Sequence, residues 1–446
     1  MASSLHTLHH MRVSYLPILI MLSSIWPAGN AVAQTDSLVQ ADTMPAVAIH
    51  EKGIQESVTD PDIHTVTLRR SDLEASYPVI KLGEEDFLTL GFDDLKGGVD
   101  DYYYTFEHCD PNWEPTGLSA YDFLDGFEEN RIDDYAFSFG TLQKYTHYIF
   151  SFPGHDLNFR LSGNYIVRVW RGDDRETPVI TRRFFIWEDG AVINGNVYRP
   201  NLIPYRNEYQ EVNFTLDIQQ LDVMNAFEEI SVAVLQNGRF DNALSGMQPR
   251  MANNYSLSYD LDDLVFEGGK EYRRFDTRTL QFQSDRIVRN EVREGVYHSY
   301  INVEESRVFQ RYVFEKDANG QFIIRADLAN QVDTEADYAW VYFTLQYPYV
   351  ISAGNVYAIG RGMPGGALPL EYDYDKMVYQ GRAYLKQGYY NYLYAVRQGN
   401  TGPFTTLYTE GNTYETENDY VVLVYQHVFD RDYDKLIGYT ILHSVR

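Results

Sequence analysis

The sequence predicts an all-β protein of tandem antiparallel β-sandwich domains, of the immunoglobulin-like or early-set kind. Three observations predict it. Apolar and polar residues alternate over short runs bounded by Gly, Pro, Asn and Asp, as in Asn164–Trp170 (NYIVRVW) and Thr181–Trp187 (TRRFFIW). The middle region, 190–332, keeps no sustained helical period, with at most a single helical turn at Asp222–Phe227. The chain has 446 residues, 44% of them hydrophobic and 15% aromatic with 38 Tyr, enough apolar material for several cores and about three domains.

The N-terminus has the layout of an export signal. Arg12 precedes an apolar run from Val13 to Ile25, and Ala31-Val32-Ala33 has the small-x-small form of a signal-peptidase site. The run falls short of the roughly 20 residues that span a bilayer. Residues 1–33 are therefore a predicted signal peptide cleaved after Ala33, with Met1 or Met11 as the start, and 34–56 a flexible leader. Gln34 follows the cleavage site, which argues against lipidation there. No other segment approaches a transmembrane helix. The single cysteine, Cys109, rules out an internal disulfide and has the setting of a buried small hydrophobe.

From Val58 the first sandwich (57–189) takes shape. Its candidate strands are Thr65–Leu68, Val79–Lys81, Phe87–Phe92, Tyr102–Phe106, Asp134–Phe139, His147–Phe152, Gly163–Trp170 and Val179–Trp187. A middle β-rich domain (190–332) follows, with strands at Glu211–Gln219, Glu229–Gln236, Arg273–Phe275, Val308–Phe314 and Phe322–Arg325. Lys316–Gly320 joins the last two as a hairpin, because Asn319-Gly320 supplies the positive φ such a turn needs. A C-terminal sandwich (333–446) closes the chain and ends in a hairpin over the acidic turn Asp430–Asp434.

The stretch Tyr102–Phe139 concentrates unusual residues in a long loop between strands, and such loops carry function or pack closely. Its aromatic and acidic rim supplies the candidate partner contacts: Tyr121, Asp122, Phe123, Asp125, Phe127, Glu128 and Glu129. Trp113, earlier in the loop, is expected to brace the first sandwich.

The net charge of −27 argues against nucleic acid and anionic membranes. The H-E-x-x-H, C-x-x-C and G-x-S-x-G patterns are absent, so no catalytic residue, metal ligand or cofactor is assigned. Gly360-Arg361-Gly362-Met363-Pro364-Gly365 spells G-x-G-x-x-G, but prolines follow where a dinucleotide site needs a helix, so it is expected to be a turn. Asp430, Asp432 and Asp434 lack the Gly and Glu of a calcium loop.

Specific stretches resemble the plug protein family of the type IX secretion system: His108–Trp113 (HCDPNW), Leu118–Phe127, Tyr145–Tyr148 (YTHY), Ser162–Tyr165 (SGNY), Thr181–Phe184 (TRRF), Leu385–Tyr392 (LKQGYYNY), Thr416–Tyr420 (TENDY), Val422–Tyr425 (VLVY) and Tyr433–Tyr439 (YDKLIGY). The resemblance covers the first and third segments well and the middle less so. It implies a non-enzymatic, exported all-β protein in the periplasm. Such a protein closes the periplasmic end of a giant outer-membrane β-barrel translocon when no substrate is passing, and a protein partner holds it at the outer membrane. The alternative from the residues themselves is an exported carbohydrate-binding protein, in which Tyr389, Tyr390, Tyr392 and Tyr394 would stack on sugars. An integral outer-membrane barrel fits poorly, since the strands are short and carry charge on both faces.

Overall fold

Alternation along the first strands forms two facing antiparallel sheets. The computed structural model describes residues 53–444 apart from 254, 261, 263 and 400, so the expected signal peptide and most of the leader lie outside the described residues. One sheet runs in the order Ser57–Val58, Ile180–Trp187, Gly163–Arg171, Tyr102–Cys109, Asn130–Arg131, with Val79–Lys81 added in parallel to Ile180–Trp187. The other runs Ile63–Arg70, Leu88–Asp94, Thr146–Phe152, Tyr135–Phe137. Leu88, Leu90, Phe92, Phe106, Tyr148, Phe152, Tyr165 and Phe184 fill the space between them. Among the described residues no α-helix exceeds a single four-residue turn.

The middle sandwich is assembled from two distant parts of the chain. One sheet holds Val192–Tyr198, Tyr209–Asp217, Ser256–Tyr259 and Met251–Ala252. The facing sheet pairs Ile230–Gln236 with Asp419–Val428, which in turn pairs with Tyr433–His443. Val212, Phe214, Leu216, Val232, Val234, Tyr420, Val422 and Val424 share its core. Between these parts a third body is inserted, a ten-stranded sheet that includes Arg273–Asp276, Tyr338–Gln346, Val378–Lys386 and Gly388–Arg397. Residues from both ends of that sheet, Phe275 and Ile287 among them, meet in one apolar cluster with Val341, Phe343, Tyr390 and Tyr392, so the sheet curls over its own core.

Sheet pairing thus crosses the expected boundary between 190–332 and 333–446 in both directions. Arg273–Asp276 pairs with Gly388–Arg397, and Asp419–Val428 pairs with Ile230–Gln236. The hairpin expected around Asn319-Gly320 is also different. Both residues do have positive φ, but 308–314 is irregular and Phe322–Ile324 pairs with Gly388–Arg397. The acidic turn at 430–434 closes the last hairpin as expected, and Gly360–Gly365 turns the chain between the antiparallel strands Asn355–Ile359 and Ala367–Asp373.

Strands expected to be half-buried are covered on both faces. In Gly163–Arg171 only Arg168 and Arg171 are not fully buried. The cause is the middle sandwich: Val79, Cys109, Trp113, Ile166 and Phe185 pack on Ala233, Leu235, Val421, Leu423, Tyr425 and Leu436. Leu88–Asp94 is buried throughout, and at Asp93 the third body covers its other face. There Asp93 accepts hydrogen bonds from Lys386 Nζ at 2.6 Å, Tyr338 Oη at 2.6 Å and His147 Nδ1 at 2.7 Å. Tyr145 Oη donates to Ala336 O at 2.8 Å across the same junction. Even the end of the expected flexible leader is held, since Ile54 N donates to Trp113 O and Arg183 Nε to Ile54 O, each at 3.0 Å.

Candidate functional site

The Tyr102–Phe139 stretch leaves the sheet at Cys109 through a tight turn. Asp110 accepts from Asn112 N at 2.8 Å and Glu114 N at 2.9 Å, a carboxylate standing in for backbone acceptors. The turn puts Trp113 at φ 65° and directs its ring into the junction with the middle sandwich. Phe185 and Phe240 meet that ring edge-on at 5.2 and 5.5 Å, and the Arg183 guanidinium lies 4.6 Å above it. Trp113 therefore occupies the bracing position expected of it.

His108 and Cys109 are equally inward. Burial pushes the His108 imidazole down to about 4, against the hydrogen bond it shares with Ser162 O. Burial, with Glu107 and Asp110 adding, pushes the Cys109 thiol up to about 12, which leaves it an unreactive neutral group. Gly163 is required beside them: its φ is +147°, and a Cβ there would lie 2.4 Å from His108 Nε2.

The rim begins at Ser119. Its backbone N and hydroxyl both donate to Asp122 Oδ2, at 2.9 and 2.6 Å, and cap the single turn Ala120–Phe123. These bonds hold the Asp122 carboxyl below its usual range. Leu124–Gly126 pairs with Leu157–Phe159, and Asn130 Nδ2 donates to Phe127 O at 2.9 Å to close the following bend.

Of the candidate contact residues, Tyr121 is 80% exposed and Phe127 74%, and Asp122, Asp125, Glu128 and Glu129 are exposed as well. Asp125 pairs with Arg160 at 3.0 Å, and Glu128 with Arg175. Phe123 departs from the expectation. It is 2% exposed and packs in the first core against Tyr165, because the turn that displays Tyr121 must point Phe123 the other way. Tyr135, Phe137 and Phe139 are exposed further along, and reading Asp134–Phe139 simply as a strand overlooked them. Their signal was aromatic residues at alternate positions of a strand already flanked by acids.

Elsewhere three of the four tyrosines of the sugar-stacking set are taken up by the third core, and Tyr389 is half-buried. Tyr390, Tyr392 and Tyr394 are buried, and Tyr392 and Tyr394 both donate to Glu304 Oε2. Among the described residues no group of three or more His, Cys, Asp or Glu side chains is arranged to hold a metal ion.

Packed sandwiches with an ordered, outward acidic and aromatic loop define an all-β scaffold whose distinctive feature is a surface. Residues 63–188 match the family model described as the type 9 secretion system plug protein first domain, a match that supports the type IX secretion system plug family for this part of the chain. A crystal structure of a hypothetical protein from Parabacteroides merdae is similar over 88% of this chain and 100% of that one, at 29% identity and a TM-score of 0.84. A DNA glycosylase from Pseudomonas fluorescens (15% identity, 28% of this chain and 30% of that one, TM-score 0.17) and the collagen adhesin of S. aureus (9%, 87% and 96%, 0.12) are too unlike it to bear on the fold. No curated protein matched the chain.

Proposed function

We propose that this protein is a non-enzymatic part of the type IX secretion system that closes the periplasmic end of the outer-membrane translocon pore when no substrate is passing. The observation that carries the reading is the family match over the first sandwich. In this reading a cleavable signal peptide exports the chain to the periplasm, and the translocon barrel retains it at the outer membrane. Among the described residues no helix is long and apolar enough to cross a membrane. The proposed contact is the rim of Tyr121, Asp122, Asp125, Phe127, Glu128 and Glu129. Two exposed aromatics among carboxylates suit a moderate, partly polar interface, which can release as a gate must.

Affinity purification of the full chain from envelopes under mild detergent tests this. A very large β-barrel protein is expected as the main partner, and its recovery should fall at least about tenfold with Tyr121→Ser and Phe127→Ser combined, as for the loss of interface anchors. Recovery of the protein alone would overturn the reading.

A further inference from the structure

A cavity of about 470 Å³ opens where the three sandwiches meet, and its walls run against the charge of the molecule. The chain as a whole has 37 basic and 64 acidic residues, yet seven arginines and only four carboxylates line this space. Some of these arginines are neutralised: Arg239 forms a forked pair with Asp241, and Arg325 pairs with Glu74. Three are not. Arg69 and Arg182 from the first sandwich and Arg361 from the third body are half-buried and engage in no ion pair among the described residues.

The hydrogen bonds of these three guanidiniums go to backbone, and Arg361 also lies 5.6 Å over the Tyr77 ring. Arg69 donates to Arg70 O at 3.3 Å, Arg182 to Ser57 O and Thr181 O at 3.0 and 2.9 Å, and Arg361 to Gly238 O at 3.1 Å. A guanidinium has five donors, so each keeps several N–H groups unused. Burial lowers the proton affinity of Arg182; Glu56 opposes that and the charge of Arg361 adds to it, so these two cations sense each other across the cavity. Holding like charges together in a partly enclosed space is unfavourable without a counter-charge. Phe240, Phe322 and Phe404 supply an apolar wall to the same space. The volume lies in the range of small-molecule pockets, roughly 300–1,000 Å³.

We infer that this cavity is a binding site for a small organic oxyanion, a carboxylate or phosphate on a carbon body, held by Arg69, Arg182 and Arg361. Guanidinium forks match the spacing of carboxylate and phosphate oxygens, and the aromatic wall selects an anion with an apolar part over a bare ion. Because the cavity is shared by the sandwiches, an occupant also ties them together. This inference stands apart from the translocon reading, and its test needs no partner.

Calorimetric titration of the full chain with citrate and, separately, phenyl phosphate tests the site and distinguishes the two anion sources. Binding of at least one probe is expected, with a matching rise in melting temperature. Arg182→Gln and Arg361→Gln should each weaken it about tenfold or more, and Arg293→Gln, at an exposed arginine outside the cavity, should not. Arg361 lies in a turn, so its replacement spares the sheets. Phenylglyoxal modification read by peptide mass spectrometry gives a second measure on the unaltered chain: the bound probe should slow reaction at Arg182 and Arg361 and leave Arg293 unaffected. Absence of binding by both probes, or binding indifferent to both cavity substitutions, would overturn the inference.

Discussion

At the scale of single residues, the most informative group is His108. Its ring sits among Phe123, Tyr165 and Tyr433, and burial keeps it neutral down to about pH 4. The unfolded chain, by contrast, takes up a proton as pH falls through the ordinary histidine value near 6.5. The unfolded state therefore binds more protons between these values, and stability is lost as pH drops across that window. The full difference amounts to about 3 kcal/mol at the acid end. Urea unfolding at pH 7, 5.5 and 4 should show the native chain losing that much more than His108→Gln; parallel losses in the two proteins would show that His108 does not set this slope.

Among the elements, the loop from Asp110 to Phe139 divides into a brace and a rim. Trp113→Ala empties the space between Phe185, Phe240 and Arg183 and should cost about 3–5 kcal/mol in urea unfolding. Tyr121→Ser removes a ring that is 80% exposed and should change stability by less than about 0.5 kcal/mol. Equal losses would mean that the rim is also structural. This division was only partly legible in sequence. Alternation and turn residues were enough for the all-β class, for most strands of the first sandwich and for the loop as a place of interest. They could not tell Phe123 from Tyr121, since a single helical turn sets which of the two faces inward. Nor could local pattern reveal that Asp419–Val428 crosses an inserted body to pair with Ile230–Gln236. The arginines of the cavity are just as scattered along the chain, and only the packing of the sandwiches brings them together.

For the whole molecule, several of the stretches that carry the family resemblance turn out to be joints between its parts. HCDPNW and TRRF place Trp113 and Arg183 against the middle sandwich. SGNY places Asn164 against Tyr425 of VLVY, whose hydroxyl donates to it at 2.8 Å. YTHY meets LKQGYYNY where Lys386 lies 4.3 Å over the Tyr145 ring and both His147 and Lys386 reach Asp93. The protein is thus joined through specific polar and aromatic contacts, which favours transmission of load through one body over independent swinging of its sandwiches. The Asp93 joint is the sharpest test of this. Asp93 and Lys386 are both essentially inaccessible to water. Burial alone would raise the Asp93 carboxyl, but Lys386 and His147 outweigh it and hold the group ionised. Lys386→Met leaves that carboxylate buried without its main counter-charge and should cost about 3–5 kcal/mol. Asp93→Asn combined with Lys386→Met removes both charges and should lose clearly less than Lys386→Met alone, because the penalty comes from the stranded charge and not from the missing pair. Urea unfolding of the native, single and double variants measures this; additive losses would mean that the two residues stabilise the first and third bodies separately and that the joint is not one unit.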